Sequence, residues 1–193
     1  IETMIKILKN HPSMCTLIFC RTKATVDEVG TLLKQKKVSC TVLHGDLEQN
    51  ERDRATSLFR NGSLRILVAT DVAARGLDIE TLDLVINLDL PSTPEVYVHR
   101  IGRTGRAGRA GVAVSIATAY EAEKVHEIEQ LTGVVMNRKL TSSSMDLELG
   151  PEFQKTLMKT LQIAAGKNDK MRPGDILGAL TAKPQEIAAV DIG

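Results

Sequence analysis

The sequence predicts an α/β fold, a parallel sheet flanked by helices, and two observations carry the prediction. Short runs rich in Val, Ile and Leu recur along the first two thirds of the chain, apolar throughout rather than at alternate positions. Stretches of helical length separate them. Continuous apolar runs belong to strands covered on both faces, as in a parallel sheet. Strand alternating with helix defines the α/β class.

The elements follow in order. Residues 15–20 (CTLIFC) form the first predicted strand. Residues 25–36 place Val26, Val29, Leu32 and Leu33 on one helical face. Residues 39–43 (SCTVL) are the second strand, and residues 48–60 a polar helix with Ala55, Leu58 and Phe59 on one side. Residues 64–70 (LRILVAT) and 84–90 (LVINLDL) are the next strands. Residues 94–101 open with a proline, as a first helical turn allows. A strand at 111–118 and a helix at 120–131 complete the series. The pattern changes after about residue 140. The polar run 141–144 and Gly150-Pro151 predict a linker over 141–153. Beyond it, residues 156–164 and then 172–180 read as a strand followed by a helix. That is too little chain to bury a core alone, so 154–193 is expected to be an appendage or the start of an incomplete domain.

Bulk composition narrows the class. The 193 residues are 42% hydrophobic and 25% charged, ordinary for a globular protein. A formal net charge of +1 means that any basic surface must be local. No apolar run approaches the roughly 20 residues of a membrane span, and the first residues lack a signal-peptide shape. The chain does not begin with Met, so residues upstream are expected to have been removed. Cys15, Cys20 and Cys40 form no C-x-x-C pair and are expected to be free thiols in a reducing cytoplasm, with no metal site. Cys15 and Cys20 have opposite parity and should face opposite sides of the sheet.

Four segments carry candidate chemistry. The stretch from His99 to Gly111 repeats Arg at 100, 103, 106 and 109 and Gly at 102, 105, 108 and 111, with no acid among them. Gly at every third position breaks a helix. Four forks of guanidinium donors on one loop call for an anion, and phosphate matches the fork. A solvated basic turn is the alternative. Residues 69–78 (ATDVAARGLD) follow a buried strand, where α/β sheets bind ligands. The alternative there is a turn capped by Asp71. His44-Gly45-Asp46 follows another strand and leads to Gln49 and Arg52, three apart on a helix face. A helix start capped by Asp46 explains it equally well. Arg21-Thr22-Lys23 after the first strand is either a further contact or a polar turn. All four belong to one edge of one sheet, which favours a polyphosphate or nucleic-acid surface.

These residues resemble a family. HRIGRTGR (99–106), ATDVAARGLDI (69–79), LIFCRTK (17–23) and HGDLEQNERD (44–53) resemble, in order and spacing, motifs VI, V and IV and an intervening RNA-contacting segment of the DEAD-box ATP-dependent RNA helicases. The resemblance covers about residues 1–140 and implies the C-terminal RecA-like domain. KMRPGDILGALT (170–181) is similar to the opening of the C-terminal RNA-binding domain of DbpA-type bacterial helicases, a variant RRM that recognises a hairpin in large-subunit ribosomal RNA. Of the aromatic residues such a sheet uses for stacking, the segment offers only Phe153.

The resemblance implies a mechanism. Two RecA-like domains close on ATP and single-stranded RNA, and the N-terminal one carries the P-loop, the Mg²⁺ site and the catalytic base. This chain has no G-x-x-x-x-G-K-[ST] and no D-E-A-D. Its expected share is a pair of arginine fingers, Arg103 and Arg106, with Gly76 and Asp78 at the nucleotide. Asp71, Arg75, His99 and Arg100 are implied in coupling, with Arg100 paired to acids such as Asp71. RNA is expected across Thr22, Lys23, Gly45, Gln49, Arg52 and Thr70, positioned without being read. The implied partners are RNA, ribosomal by the tail, and the N-terminal domain, in the cytoplasm. Three other readings stand beside this one: a DNA translocase, a non-catalytic RNA-binding module and a nucleotide-binding oxidoreductase. His99 where translocases carry Gln, and Arg21-Thr22-Lys23 where the oxidoreductase needs glycines, weigh against the first and third.

Overall fold

The computed structural model describes the chain except residues 13–14, 76, 78–81, 106–109, 140–148, 151–152, 154–155, 157, 162, 164–168, 183–186 and 189–193. The chain forms two compact units, Ile1–Lys159 and Thr160–Gly193.

The first unit is built on β1 (Thr16–Phe19), β2 (Cys40–Leu43), β3 (Ile66–Ala69), β4 (Leu84–Asn87) and β5 (Val112–Ser115). They form one sheet in the order β2-β3-β1-β4-β5, and every pairing is parallel. The strands are four residues long, shorter than the apolar runs that predict them. β1, β3 and β4 are buried at every position. β2 and β5 flank the sheet, and their middle residues are only half covered or exposed. The prediction of burial on both faces therefore holds for the three inner strands and fails for the two edges.

Alternate strand residues supply opposite faces. Ile18, Ile66, Val68, Leu84 and Ile86 meet Val26, Val29 and Leu33 of α2 (Lys23–Gln35) on one face. The same face takes Met4, Ile5 and Leu8 of α1 (Glu2–Asn10), a helix the sequence reading missed. Leu17, Phe19, Leu43, Leu67, Ala69 and Val85 line the other face. It is covered by Ala55 and Phe59 of α3 (Gln49–Arg60) and by Ala73 and Ala74 of the short α4 (Asp71–Ala74). Cys20 belongs to the first cluster and Cys15 packs on the second, as their parity predicts. All three cysteines are free.

Beyond β4, α5 (Pro94–Ile101) and α6 (Ala122–Thr132) pack through Tyr97, Ile101, Val125 and Ile128. A single 3₁₀ turn, Ala119–Glu121, precedes α6 and leaves Tyr120 at the surface. Leu149 and Phe153 come from the segment expected to be a linker, yet both pack on the α1–α2 core. Phe153 is buried, and its carbonyl accepts from the Ser39 amide at 3.1 Å. It is therefore withdrawn from any stacking role.

In the second unit, α7 (Pro173–Thr181) stands where the tail helix is predicted. Pro173 opens it, and the Arg172 amide donates to Asp175 Oδ2 at 2.8 Å. The strand predicted at 156–164 is absent from its described residues, 156, 158–161 and 163. No residue of α7 is buried. Among the described residues no helix is long and apolar enough to cross a membrane.

Candidate functional site

The register fixes the site. Leu43, Ala69, Phe19, Asn87 and Ser115 lie side by side across the sheet, and each is the last residue of its strand. All five strands thus stop at one level, and the segments that follow them open on one edge. Parallel α/β sheets bind their ligands at this edge.

Helix α5 brings Arg100 under that edge, only 2% exposed. Its Nε and Nη2 donate to Asp71 Oδ1 and Oδ2 at 2.6 and 2.8 Å. Nη1 donates to Asn87 Oδ1 at 3.0 Å and to the Asp89 carbonyl at 2.7 Å. The guanidinium carbon lies 4.9 Å from the centre of the Phe19 ring, a cation–π arrangement. Asn87, itself fully buried, is oriented by donating to Ser115 Oγ at 3.0 Å. The Asp89 carboxylate accepts from the Arg21 amide at 2.9 Å. A buried guanidinium is tolerated only when paired and hydrogen-bonded this completely. The counter-charge of Arg100 is thus internal: the pairing with Asp71 that the resemblance implies is present, and the phosphate guest expected for the arginine run as a whole does not extend to this residue. Asp71, likewise, pairs with Arg100 instead of merely capping a turn.

Arg103 lies three residues on, where the chain leaves α5. Its amide donates to the Arg100 carbonyl at 3.2 Å, and its own carbonyl accepts from the Leu82 amide at 3.3 Å. Thr104 Oγ donates to the Leu82 carbonyl, so backbone and side chain both pin the turn. Gly105 has φ +70°, and a side chain at Gly111 would collide with Thr104 and the Gly105 backbone. These two glycines serve the turn and its packing. The Arg103 guanidinium is half-exposed, and its one contact among the described residues is a 3.3 Å hydrogen bond from Nη1 to the Leu77 carbonyl. Arg103, the exposed His99, Arg100, Phe19, Ala74 and Val96 border a small hollow of about 50 Å³. Arg106, Gly76 and Asp78 lie outside the described residues.

At the other end of the edge, Lys23 pairs with Asp46, both exposed. That hydrogen bond, more than any other influence, holds the Asp46 carboxyl below its ordinary range. Gly45 lies against the Lys23 stem, where even a Cβ would reach contact at 3.6 Å. His44 is buried; its Nδ1 accepts from the Asp46 amide at 3.4 Å and its Nε2 donates to Asp27 at 3.0 Å. Thr22 Oγ accepts from the Thr25 amide at 3.1 Å and so caps α2. Helix α3 is capped by Glu51, which accepts from the Glu48 amide at 3.1 Å, and not by Asp46. Arg52 donates to the His44 carbonyl at 3.3 Å, and Gln49 to Asp53 at 2.7 Å. Gln49, Arg52, Arg60 and Arg75 border a cleft of about 380 Å³ beside α3. Thr70, half-exposed, sits between the two groups, its amide donating to the Leu43 carbonyl at 3.3 Å. No cluster of three or more His, Cys, Asp or Glu among the described residues could hold a metal ion.

Residues 1–108 match the family model described as the helicase conserved C-terminal domain. The C-terminal domain of the DEAD-box protein Dbp5 superposes with a TM-score of 0.61 at 36% identity, over 68% of this chain and 79% of that one. The chain belongs to the DEAD-box helicases, as their C-terminal domain. Residues 160–193 match the DbpA RNA binding domain model. The ATP-dependent RNA helicase DbpA of Escherichia coli (strain K12) is 45% identical over 182 residues, 94% of this chain and 39% of that protein. The ATP-dependent rRNA helicase RRP3 of Eremothecium gossypii is 43% identical over 152 residues, 79% of this chain and 31% of that protein. The chain thus spans about a third to two fifths of these relatives. Within this DEAD-box domain, Asn87 and Asp89 are the site residues that sequence reasoning missed. Their signal was available: two polar residues interrupt the otherwise apolar LVINLDL.

Proposed function

We propose that this domain is the C-terminal half of an ATP-driven RNA-unwinding motor, which presents arginines to a nucleotide held by an N-terminal RecA-like domain. The contrast between Arg100 and Arg103 carries the reading. Arg100 spends four of its five N–H donors on internal partners. The fork of Arg103, three residues later, makes one hydrogen bond among the described residues, to the Leu77 carbonyl beside the ligand-binding edge. A rigid turn aims it, so little reorganisation is needed when it meets charge. Arg106 is assigned as the second finger, with Gly76 and Asp78 at the nucleotide, on the family motif.

ATP supplies the scissile phosphoanhydride and the binding energy for closure. Mg²⁺ is assigned to the N-terminal domain. The chain's own residues do the rest. Arg103 neutralises charge that develops on the transferred phosphoryl group, worth about 10³-fold or more in rate. Arg75 and His99 line the same hollow as Arg103 and are assigned to coupling. Thr22, Lys23, Gly45, Gln49, Arg52 and Thr70 hold the RNA backbone, so they position a strand without reading it. The tail's match to the DbpA RNA binding domain and the name of the RRP3 relative favour ribosomal RNA as the target.

In the protein together with its N-terminal RecA-like domain, Arg103→Ala is expected to abolish RNA-stimulated ATP hydrolysis while RNA binding persists. Unchanged turnover would remove the finger from Arg103. The chain by itself is expected to show no ATPase above background.

A further inference from the structure

We propose that Asp89 is a positioning residue that ties the RNA-side loop after β1 to the Arg100 network, and so couples nucleotide occupancy to RNA affinity. The proposal rests on the helicase reading above. Asp89 grips two elements at once. Its carbonyl accepts from Arg100 Nη1 at 2.7 Å, and its carboxylate accepts from the Arg21 amide at 2.9 Å. Arg21 begins the turn that presents Thr22 and Lys23. Arg100 holds Asp71, the neighbour of Thr70, and lies three residues before Arg103. Because the turn is rigid, the pull of a phosphate on Arg103 is passed to the last turn of α5 and Arg100, to the Asp89 backbone, and through its side chain to the Arg21 amide.

The other restraints on that loop are weaker or local. The Arg21 guanidinium is 3.7 Å from Glu121 and largely exposed. Thr22 caps the helix that follows, its side-chain partner among the described residues being Thr25. The Lys23–Asp46 pair leads from the same turn to the residues after β2; toward Arg100, the Asp89 carboxylate is the short tether. It is also replaceable without loss of the fold. Asp89 is half-exposed, so water can take over the Arg21 amide. Replacing the side chain leaves the carbonyl, and with it the Arg100 contact, in place. Asp89→Ala thus cuts one joint only.

Coupling between two ligands is the ratio of one ligand's affinity with and without the other. The test uses the protein with its N-terminal domain, a labelled short oligouridylate and a non-hydrolysable ATP analogue. The unmodified protein is expected to bind RNA about 5- to 150-fold more tightly when the analogue is present. In Asp89→Ala that ratio should fall by about 2- to 30-fold, with RNA affinity in the absence of nucleotide within about twofold. Asp89→Asn keeps an amide oxygen for the Arg21 N–H and should restore most of the ratio. A ratio in Asp89→Ala equal to that of the unmodified protein overturns the proposal, and so does an Asn variant as defective as the Ala one. A ratio of one in the unmodified protein, with hydrolysis indifferent to Arg103→Ala, overturns the helicase reading and the proposal with it.

Discussion

The two ends of the strand-end row handle charge in opposite ways. Below β4, Arg100 is withdrawn from water and fully partnered by Asp71, Asn87 and the Asp89 backbone. Beyond β1 and β2, the Lys23, Asp46, Gln49 and Arg52 side chains each hold one polar partner among the described residues, all but Arg52 at exposed positions. The difference separates architecture from interface. A buried ionic network is costly to disrupt, because each partner is left desolvated. Exposed pairs contribute little, about 0–1 kcal/mol, so a phosphate can displace the internal partner at small cost. The inner cluster holds the frame, and the outer one exchanges its partners.

The largest expected effect tests the inner cluster. Arg100→Met leaves Asp71 and Asn87 uncompensated and should cost about 3–5 kcal/mol, read as a lowered urea midpoint of the chain. A loss below about 1 kcal/mol would class Arg100 with the exposed pairs. Cys20 supplies a second readout. Burial, with Asp89 adding to it and Arg100 opposing it, pushes its thiol up to about 12, so thiol reagents should react with it slowly near neutral pH and faster in the variant only through more frequent opening of the destabilised fold. Next comes Asn87→Ala, which removes an acceptor from Arg100 and a partner from Ser115. About 1–3 kcal/mol is expected, and a neutral result would mean that Asn87 only fills space.

Lys23→Ala tests the outer cluster. Stability should change by no more than about 0.5 kcal/mol. RNA binding should weaken, with a salt slope shallower by about 0.7 if one phosphate contact is lost. A stability loss as large as that of Asn87→Ala would erase the contrast between the two ends. The smallest effect is in acid. The folded pKa of Asp46 is depressed, so its contribution is present above the unfolded value and lost as pH falls through the folded one. The ordinary value is 3.8, so the Lys23–Asp46 pair should open only below that pH. A carboxyl NMR titration measures it, and in Lys23→Ala the midpoint should return toward 3.8.

The same contrast explains what was legible in the sequence. The inner strands announce themselves because burial on both faces forces continuous apolar runs. The arginine run is visible because glycines and the absence of acids set it apart. The inward turn of Arg100 onto Asp71 was implied by the family resemblance; composition and spacing alone do not carry it, since the two lie 29 residues apart in sequence. Asn87 and Asp89 escaped notice because their partners are brought together by sheet register. Helix α1 carries its signal in Met4, Ile5 and Leu8, but one short apolar face without a side-chain cap at Ile1 is easily passed over. The predicted tail strand rested on a local apolar stretch and on the resemblance to a variant RRM, and a strand needs a neighbour to pair with.

The level finish of the five strands has a consequence for how this domain can vary. Deleting one residue from any strand would draw its loop back by about 3.3 Å and move the side chains beyond it to the opposite face of the sheet. Lengthening the connections at the opposite edge would disturb neither. Insertions should therefore accumulate away from the ligand edge, while the residue count between the start of each strand and its motif stays fixed.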